Sequence, residues 1–214
     1  MSTAAQQKPQ IAVKDRAATE ARILDAARTV FAERGYDAAG LREIAETAQA
    51  NLSLISRYFG GKEGLLAALT EQFVSARREG GLPYPPQETL RDEIYRYFHA
   101  KLRDDLRDEE IVRLLVSRAA IDAEYRKKGA ENLDGKADAN FRERVARLQQ
   151  RGMVASDVNI DLLFSAVMHV SFSVIFFGAM VAGRPEAEID ALFRNFADAL
   201  AKSPPVQVEM PAQS

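Results

Sequence analysis

Apolar residues recur at helical spacing along nearly the whole chain. Ile23, Ala26, Ala27, Val30 and Phe31 fall at i, i+3, i+4, i+7 and i+8, which predicts a first helix closed by Gly35 in a left-handed C-cap. Leu41, Ile44, Ala45 and Ala48 repeat the pattern over only two turns. Asn51, a favoured N-cap, opens a third helix with Ile55 and Phe59 on one side. Leu65, Leu66, Leu69 and Phe73 predict a longer fourth helix that stops at Gly80-Gly81. No alternation of apolar and polar residues is long enough to suggest a sheet, so the predicted fold class is all-α, with about nine helices.

The segment "GGLPYPPQ", 80–87, carries three prolines and marks a boundary. Beyond it Thr89 and Asp92 form a capping-box-like start for a helix bearing Leu90, Ile94, Tyr97 and Phe98. Acidic residues 108–110 suit the first turn of another helix, with Ile111, Leu114 and Leu115 behind. The stretch 123–137, broken by Gly129 and Gly135, has no readable period; Phe141, Val145 and Leu148 resume a helix ending near Gly152. An apolar helix runs from about Ile160 to Gly183, and Pro185 starts the last one with Ile189, Leu192, Phe193, Phe196 and Leu200. The expected organisation is a disordered arm over 1–18, a three-helix domain over 19–66, a second helical module over 67–202 and a disordered tail over 203–214.

Helices of two or three turns are marginal in water because nucleation is costly, so the second and third helices must be held by packing. Ile55 and Phe59 face that packing. At 100° per residue, Ser53, Ser56 and Arg57 then fall on the opposite arc, with Leu52 at its edge. Small hydroxyls and one arginine on an exposed short helix suit a duplex major groove, where serine can donate to or accept from base edges. Tyr58 and Lys62 flank this face and are placed to grip phosphates, with the Gly60-Gly61 amides between them. Tyr58 and Phe59 are adjacent, about 100° apart on a helix, so only one is expected to be centred inward.

Composition narrows the function. In 214 residues, 47 % are hydrophobic, enough for a real core, and a formal net charge of −2 argues against coating nucleic acid by bulk charge. Any nucleic-acid contact is therefore local; residues 1–62 hold nine Lys+Arg against seven Asp+Glu. Cysteine is absent, which removes disulfides and thiolate metal sites, and the N-terminus lacks the apolar region of a secretory signal, so a cytoplasmic location is expected. The stretch 162–182 is long and apolar enough to span a bilayer. Three serines, His169, the acidic residues Asp161, Glu186 and Glu188 near its ends, and the lack of a Trp or Tyr belt point instead to a core or subunit interface, with no membrane.

The N-terminal motifs resemble those of the tetracycline-repressor (TetR) family of bacterial transcriptional regulators. The family pattern is Phe-x-x-x-Gly-Tyr/Phe, then Thr-(Val/Leu)-x-x-Ile-Ala, an Ala-Gly-Val-Ser turn, and Tyr/His-Phe-x-x-Lys-Glu-x-Leu. This chain shows "FAERGY" at 31–36, "LREIA" at 41–45 and "YFGGKEGL" at 58–65. The resemblance implies that Tyr58 and Lys62 bind phosphates and that Leu52, Ser53, Ser56 and Arg57 meet bases or backbone; Arg42 and Asn51 complete the candidate DNA-binding set. Three positions depart from the pattern. Gly40 stands where the family has Thr and brings no hydroxyl, Gln49 stands at the turn glycine, and Ser56 replaces the usual Tyr.

The resemblance also implies a homodimer joined through the last two helices, a double-stranded DNA operator, a small-molecule effector and no cofactor. Candidate pocket residues are Phe98, Leu102, Arg118, His169, Phe172 and Phe176, with His169 read as an interior residue and Arg118 as either pairing with a carboxylate in the second module or lying on its surface. Candidate dimer residues are Phe164, Met168, Phe177, Leu192, Phe193 and Phe196. His99 and His169 are too few and too isolated for a histidine metal cluster, and "GGKEG" lacks the Ser or Thr a phosphate loop needs after Lys. The alternative is a small-molecule or lipid-binding helical protein or an enzyme whose N-terminal domain is only an interaction platform. It needs a polar catalytic constellation that the sequence does not display.

Overall fold

The computed structural model describes residues 8–130 and 136–205. Every regular element among them is helical: α1 (Lys8–Arg34), α2 (Leu41–Thr47), α3 (Leu52–Phe59), α4 (Lys62–Glu79), α5 (Leu90–Arg107), α6 (Glu109–Ile121), α7 (Ala123–Ala130), α8 (Lys136–Gln150), α9 (Ile160–Ser173) continued by a π-helical segment (Val174–Val181), and α10 (Glu186–Lys202). The chain forms two compact units. One holds the residues through Ser75 and the stretch from Glu110 through α7; the other holds Ala76–Glu109 and the chain from α8 onward.

The first unit is built around Ile23, Ala27, Phe31, Ile44, Ile55, Leu65 and Leu69, all essentially inaccessible, with Ile111 and Leu114 of α6 closing the same core. Fully burying an Ile or Leu contributes about 1.5–3 kcal/mol. Such packing, not helix propensity, holds α2 and α3. α3 is also fixed at both ends. The Asn51 side chain accepts from the Ser53 amide at its start, and Gly60 at φ 74 closes it with its N–H on the Ser56 carbonyl at 3.0 Å. Gly64 allows α4 to begin against α3, because a Cβ there would lie 1.5 Å from the Phe59 carbonyl oxygen.

In the second unit α5 is central. Its Ile94, Tyr97 and Phe98 are fully buried against α8, α9 and α10. Phe98 stacks on Phe193 with ring centroids 4.8 Å apart, and Tyr97 lies 4.8 Å from Phe141. The Tyr97 hydroxyl donates to Asp138 at 2.6 Å; burial pushes its pKa up, so it stays a donor. Thr89 caps α5, its Oγ accepting from the Asp92 amide at 3.1 Å. The π-helical segment shows in the Ala182 amide bonding to the Phe177 carbonyl at 3.0 Å, an i→i+5 step.

Several expectations change. Residues 8–18, read as part of a disordered arm, belong to α1, while 1–7 lie outside the described residues. The unreadable stretch contributes α7, bringing the described α-helices to ten where about nine were expected. α6 and α7, assigned by sequence to the second module, cluster with the N-terminal helices. Of the tail, Ser203–Pro205 is placed, with the Pro205 carbonyl accepting from the Asn159 amide at 2.9 Å; 206–214 lies outside the described residues. Phe59 is not the single inward residue of its pair: Tyr58 and Phe59 are both half-buried and both pack on the core.

Candidate nucleic-acid interface

The turn between α2 and α3 is short and tightly bonded. The Gln49 amide donates to the Glu46 carbonyl at 3.0 Å and the Ala50 amide to the Ala45 carbonyl at 2.9 Å. Gln49 itself sits at φ 49, the one non-glycine with positive φ among the described residues, so the turn holds a residue with a side chain in a left-handed conformation that favours glycine. α3 is eight residues long, about 12 Å at 1.5 Å per residue, and a helix with its side chains is about 10–12 Å across, which a major groove about 12 Å wide admits. With Ile55 buried behind, Ser53, Ser56 and Arg57 are exposed together, and Leu52 is 36 % exposed at the edge. Arg42 is exposed on α2 and lines a shallow depression with Gln49 and Leu52.

Cations flank this face. The Arg57 guanidinium donates to the Tyr58 hydroxyl at 2.9 Å and lies 4.9 Å from the ring centroid. Arg16 of α1 stands over the same ring, also at 4.9 Å, held by Glu20 at 2.7 Å; that hydrogen bond raises the Arg16 pKa above its ordinary value. With its oxygen accepting from Arg57, the Tyr58 hydroxyl keeps its proton for an outside acceptor such as a phosphate. Lys62 is anchored too. Its ammonium donates to the Asp37 carbonyl at 2.9 Å and sits 4.7 Å from the Tyr36 ring, leaving further N–H donors for a phosphate. Arg16 was missed in the sequence because it falls in the segment read as disordered. The available signal was Arg16 and Glu20 at i, i+4.

Residues 23–69 match the family model described as bacterial regulatory proteins, tetR family. The transcriptional repressor AcnR of Corynebacterium efficiens is 30 % identical over 169 residues, covering 77 % of this chain and 85 % of that protein. The chain belongs to the tetR family of bacterial regulatory proteins. A second repressor of the helix-turn-helix type, from Streptomyces coelicolor, is 30 % identical over 171 residues, with 77 % and 83 % of the two chains covered. In fold, the fatty acid degradation regulator FadR of Bacillus halodurans superposes with a TM-score of 0.65 at 19 % identity, over 88 % of this chain and 97 % of that one. As a tetR-family protein it is a DNA-binding transcriptional regulator, and α2–turn–α3 is its helix-turn-helix.

The predicted pocket residues of this tetR-family chain are divided between the two units. Arg118 lies in the first unit, over the Tyr36 ring at 4.7 Å and paired with Asp122 at 2.6 Å. It lines a cleft of about 490 Å³ with Tyr36, Leu66, Thr70 and Tyr125. Leu102 lines a separate groove of about 600 Å³ in the second unit, with His99, Arg103, Arg184 and Ile189. Phe98 is core. His169, expected inside, is exposed, with its Nδ1 donating to the Ser165 carbonyl at 2.7 Å one turn back. Phe172 is exposed and stacks on Phe176 at 5.4 Å.

The predicted dimer set divides as well. Phe164 and Phe193 are buried in the protomer's own core, at 5 % and 0 % exposure. Met168 is half-buried with its sulfur 3.0 Å from the Tyr97 hydroxyl, and Leu192 is half-buried. Phe177 and Phe196 are exposed, and Leu162, Phe172 and Val181 join them as exposed large apolar residues of the same unit.

Proposed function

We propose that the chain is a homodimeric repressor that binds a pseudo-palindromic operator through α3 and answers to a small-molecule effector, acting in the cytoplasm by binding and not by catalysis. The observation that carries this reading is the α3 face: exposed Ser53, Ser56 and Arg57 in front, Ile55 buried behind, and Arg16, Tyr58 and Lys62 preset at its flanks. Repression follows the relatives, which are named as repressors. The helix Ile160–Val181 is long and apolar enough to cross a bilayer, yet 39 % of its most apolar window is buried inside the protomer. A second copy covering the Phe177 face explains the remaining apolar surface without lipid. Two copies then place two recognition helices on one operator.

An effector acts only through differential affinity for the operator-competent and incompetent states. The Tyr36–Arg118 cleft supports such a role, because a molecule seated there touches the ring on which Lys62 rests.

The roles assigned to α3 and its flanks are tested on a duplex selected from a random library by the wild-type chain. Lys62→Ala is expected to weaken binding about equally on all sequences and to reduce the log–log salt slope by roughly 0.9. Arg57→Ala and Ser56→Ala are expected to change preference at particular base pairs, by about 1–3 kcal/mol for the arginine. Fluorescence anisotropy on a panel of single-base operator variants separates the two behaviours. Identical profiles for all three substitutions would overturn these roles.

A further inference from the structure

The Asn51 cap does more than start α3. Its Oδ1 accepts from the Ser53 backbone amide at 2.9 Å and lies 2.9 Å from the Ser53 hydroxyl oxygen as well. A backbone N–H can only donate, so the atom it meets must be the amide oxygen and not the nitrogen. An amide oxygen can only accept, so the Ser53 hydroxyl must give its proton to Asn51. Ser53 is exposed near the N-terminal end of α3, the part of a recognition helix that meets base edges. With its proton committed inward, it presents lone pairs outward.

We infer that Ser53 reads the operator as an obligate acceptor, taking a hydrogen bond from the exocyclic amino group of adenine or cytosine in the major groove, with Asn51 as the positioning residue that sets this polarity. A free serine hydroxyl contacts any base because it rotates between donor and acceptor. The Asn51 carbonyl removes that ambiguity. Guanine O6 and N7 and thymine O4, which need a donor, are not partners of Ser53 while Asn51 holds its proton. Because every base pair carries one amino group in the major groove, the restriction tells A·T from T·A and C·G from G·C by which strand holds the donor.

The inference rests on α3 entering the major groove, and the test keeps the two apart. The wild-type chain first selects a duplex from a random-sequence library. Single adenines and cytosines in that duplex are then replaced by purine and 2-pyrimidinone, which lack the amino group, and single guanines by 7-deazaguanine, which lacks the N7 acceptor. Wild-type protein is expected to lose about 3- to 10-fold in affinity at one amino-deleted position per half-site, the range of a single neutral hydrogen bond. Ser53→Ala is expected to show no further loss at that same position and to remain sensitive at all others. Asn51→Gly, which keeps the helix start with only a small loss of capping, is expected to free the hydroxyl, so that the position tolerates all four bases. Asn51→Asp, which still accepts from both Ser53 groups, is expected to weaken binding generally through its charge yet keep the wild-type preference there. Coupling of Ser53→Ala to 7-deazaguanine, or to no amino-deleted base, overturns the acceptor role while leaving α3 in the groove. Enrichment of no sequence by the wild-type chain overturns both.

Discussion

Phe177→Asp combined with Phe196→Asp is expected to convert the protein to a monomer and to weaken operator binding by about 100-fold or more. Joining two half-site readers makes the second contact intramolecular, and the gain from such linkage runs from about 10² to 10⁴ over one site alone. Both side chains are substantially exposed in the protomer, Phe177 at 58 % and Phe196 at 36 %, so the substitutions leave the internal core untouched. Phe164 and Phe193 provide the contrast, since a charge at either would disrupt the fold itself. Sedimentation velocity reads the assembly and anisotropy reads the affinity, with the helical circular dichroism signal checking that the monomer is folded. A variant that stays dimeric, or a monomer that binds the operator like wild type, would remove the Phe177 face from the interface.

Arg144→Met is expected to lower the melting temperature by roughly 10 °C. Glu93 is fully buried, and Arg144 is its cation: one guanidinium nitrogen donates to Glu93 Oε1 at 3.2 Å and the other to the Tyr84 carbonyl at 2.8 Å. The second Glu93 oxygen accepts from the Gln87 amide at 2.9 Å, so the pair fastens the proline-rich 80–87 segment to α5 and α8. Removing one member of a buried pair leaves an uncompensated charge and costs about 3–5 kcal/mol, a large share of the 5–15 kcal/mol by which a domain is stable. For a chain of this size each kcal/mol moves the midpoint by about 2–4 °C. Glu93→Gln together with Arg144→Met removes both charges and is expected to recover most of the loss. A single Arg144→Met shift under about 2 °C in a thermal melt would show that the pair does not hold this segment.

The helix-turn-helix was legible because its determinants are local. The Asn51 cap, the Ile44 and Ile55 spacing and the Gly60 stop each act within a few residues, and the family motif spans the same stretch. The odd turn residue was only half legible: Gln49 at a glycine position implies either an unfavourable backbone or a reshaped turn, and it adopts the positive φ. Contacts made across the chain were not legible. Arg16 reaches Tyr58 from a helix that begins far earlier than its apolar period, and Arg118 meets Tyr36 from α6, a helix the proline-rich boundary assigned elsewhere.

The apolar helix failed for a different reason. A stretch apolar on all sides has no phase, so periodicity cannot say which of its residues face the protomer core. The π-helical turns after Ser173 then widen the repeat, bringing residues four to five apart onto one side, and an α-helical projection places Phe177 and Val181 wrongly with respect to Phe164. Burial of Phe164 and exposure of His169, both before the π-helical segment, follow from the packing of α9 on α5, α8 and α10, and burial of Phe193 from the packing of α10 on α5, none of which a linear pattern encodes.

The most direct measurement is selection from a random double-stranded library by the purified full chain at low salt, followed by hydroxyl-radical footprinting of the enriched duplex. The expected result is one two-fold-symmetric sequence, protected over two half-sites on one face of the helix, with protection lost across both when α3 carries Arg57→Ala and Ser53→Ala together. Equal recovery of all sequences, or a footprint indifferent to those two substitutions, would mean that α3 is not the surface that meets DNA.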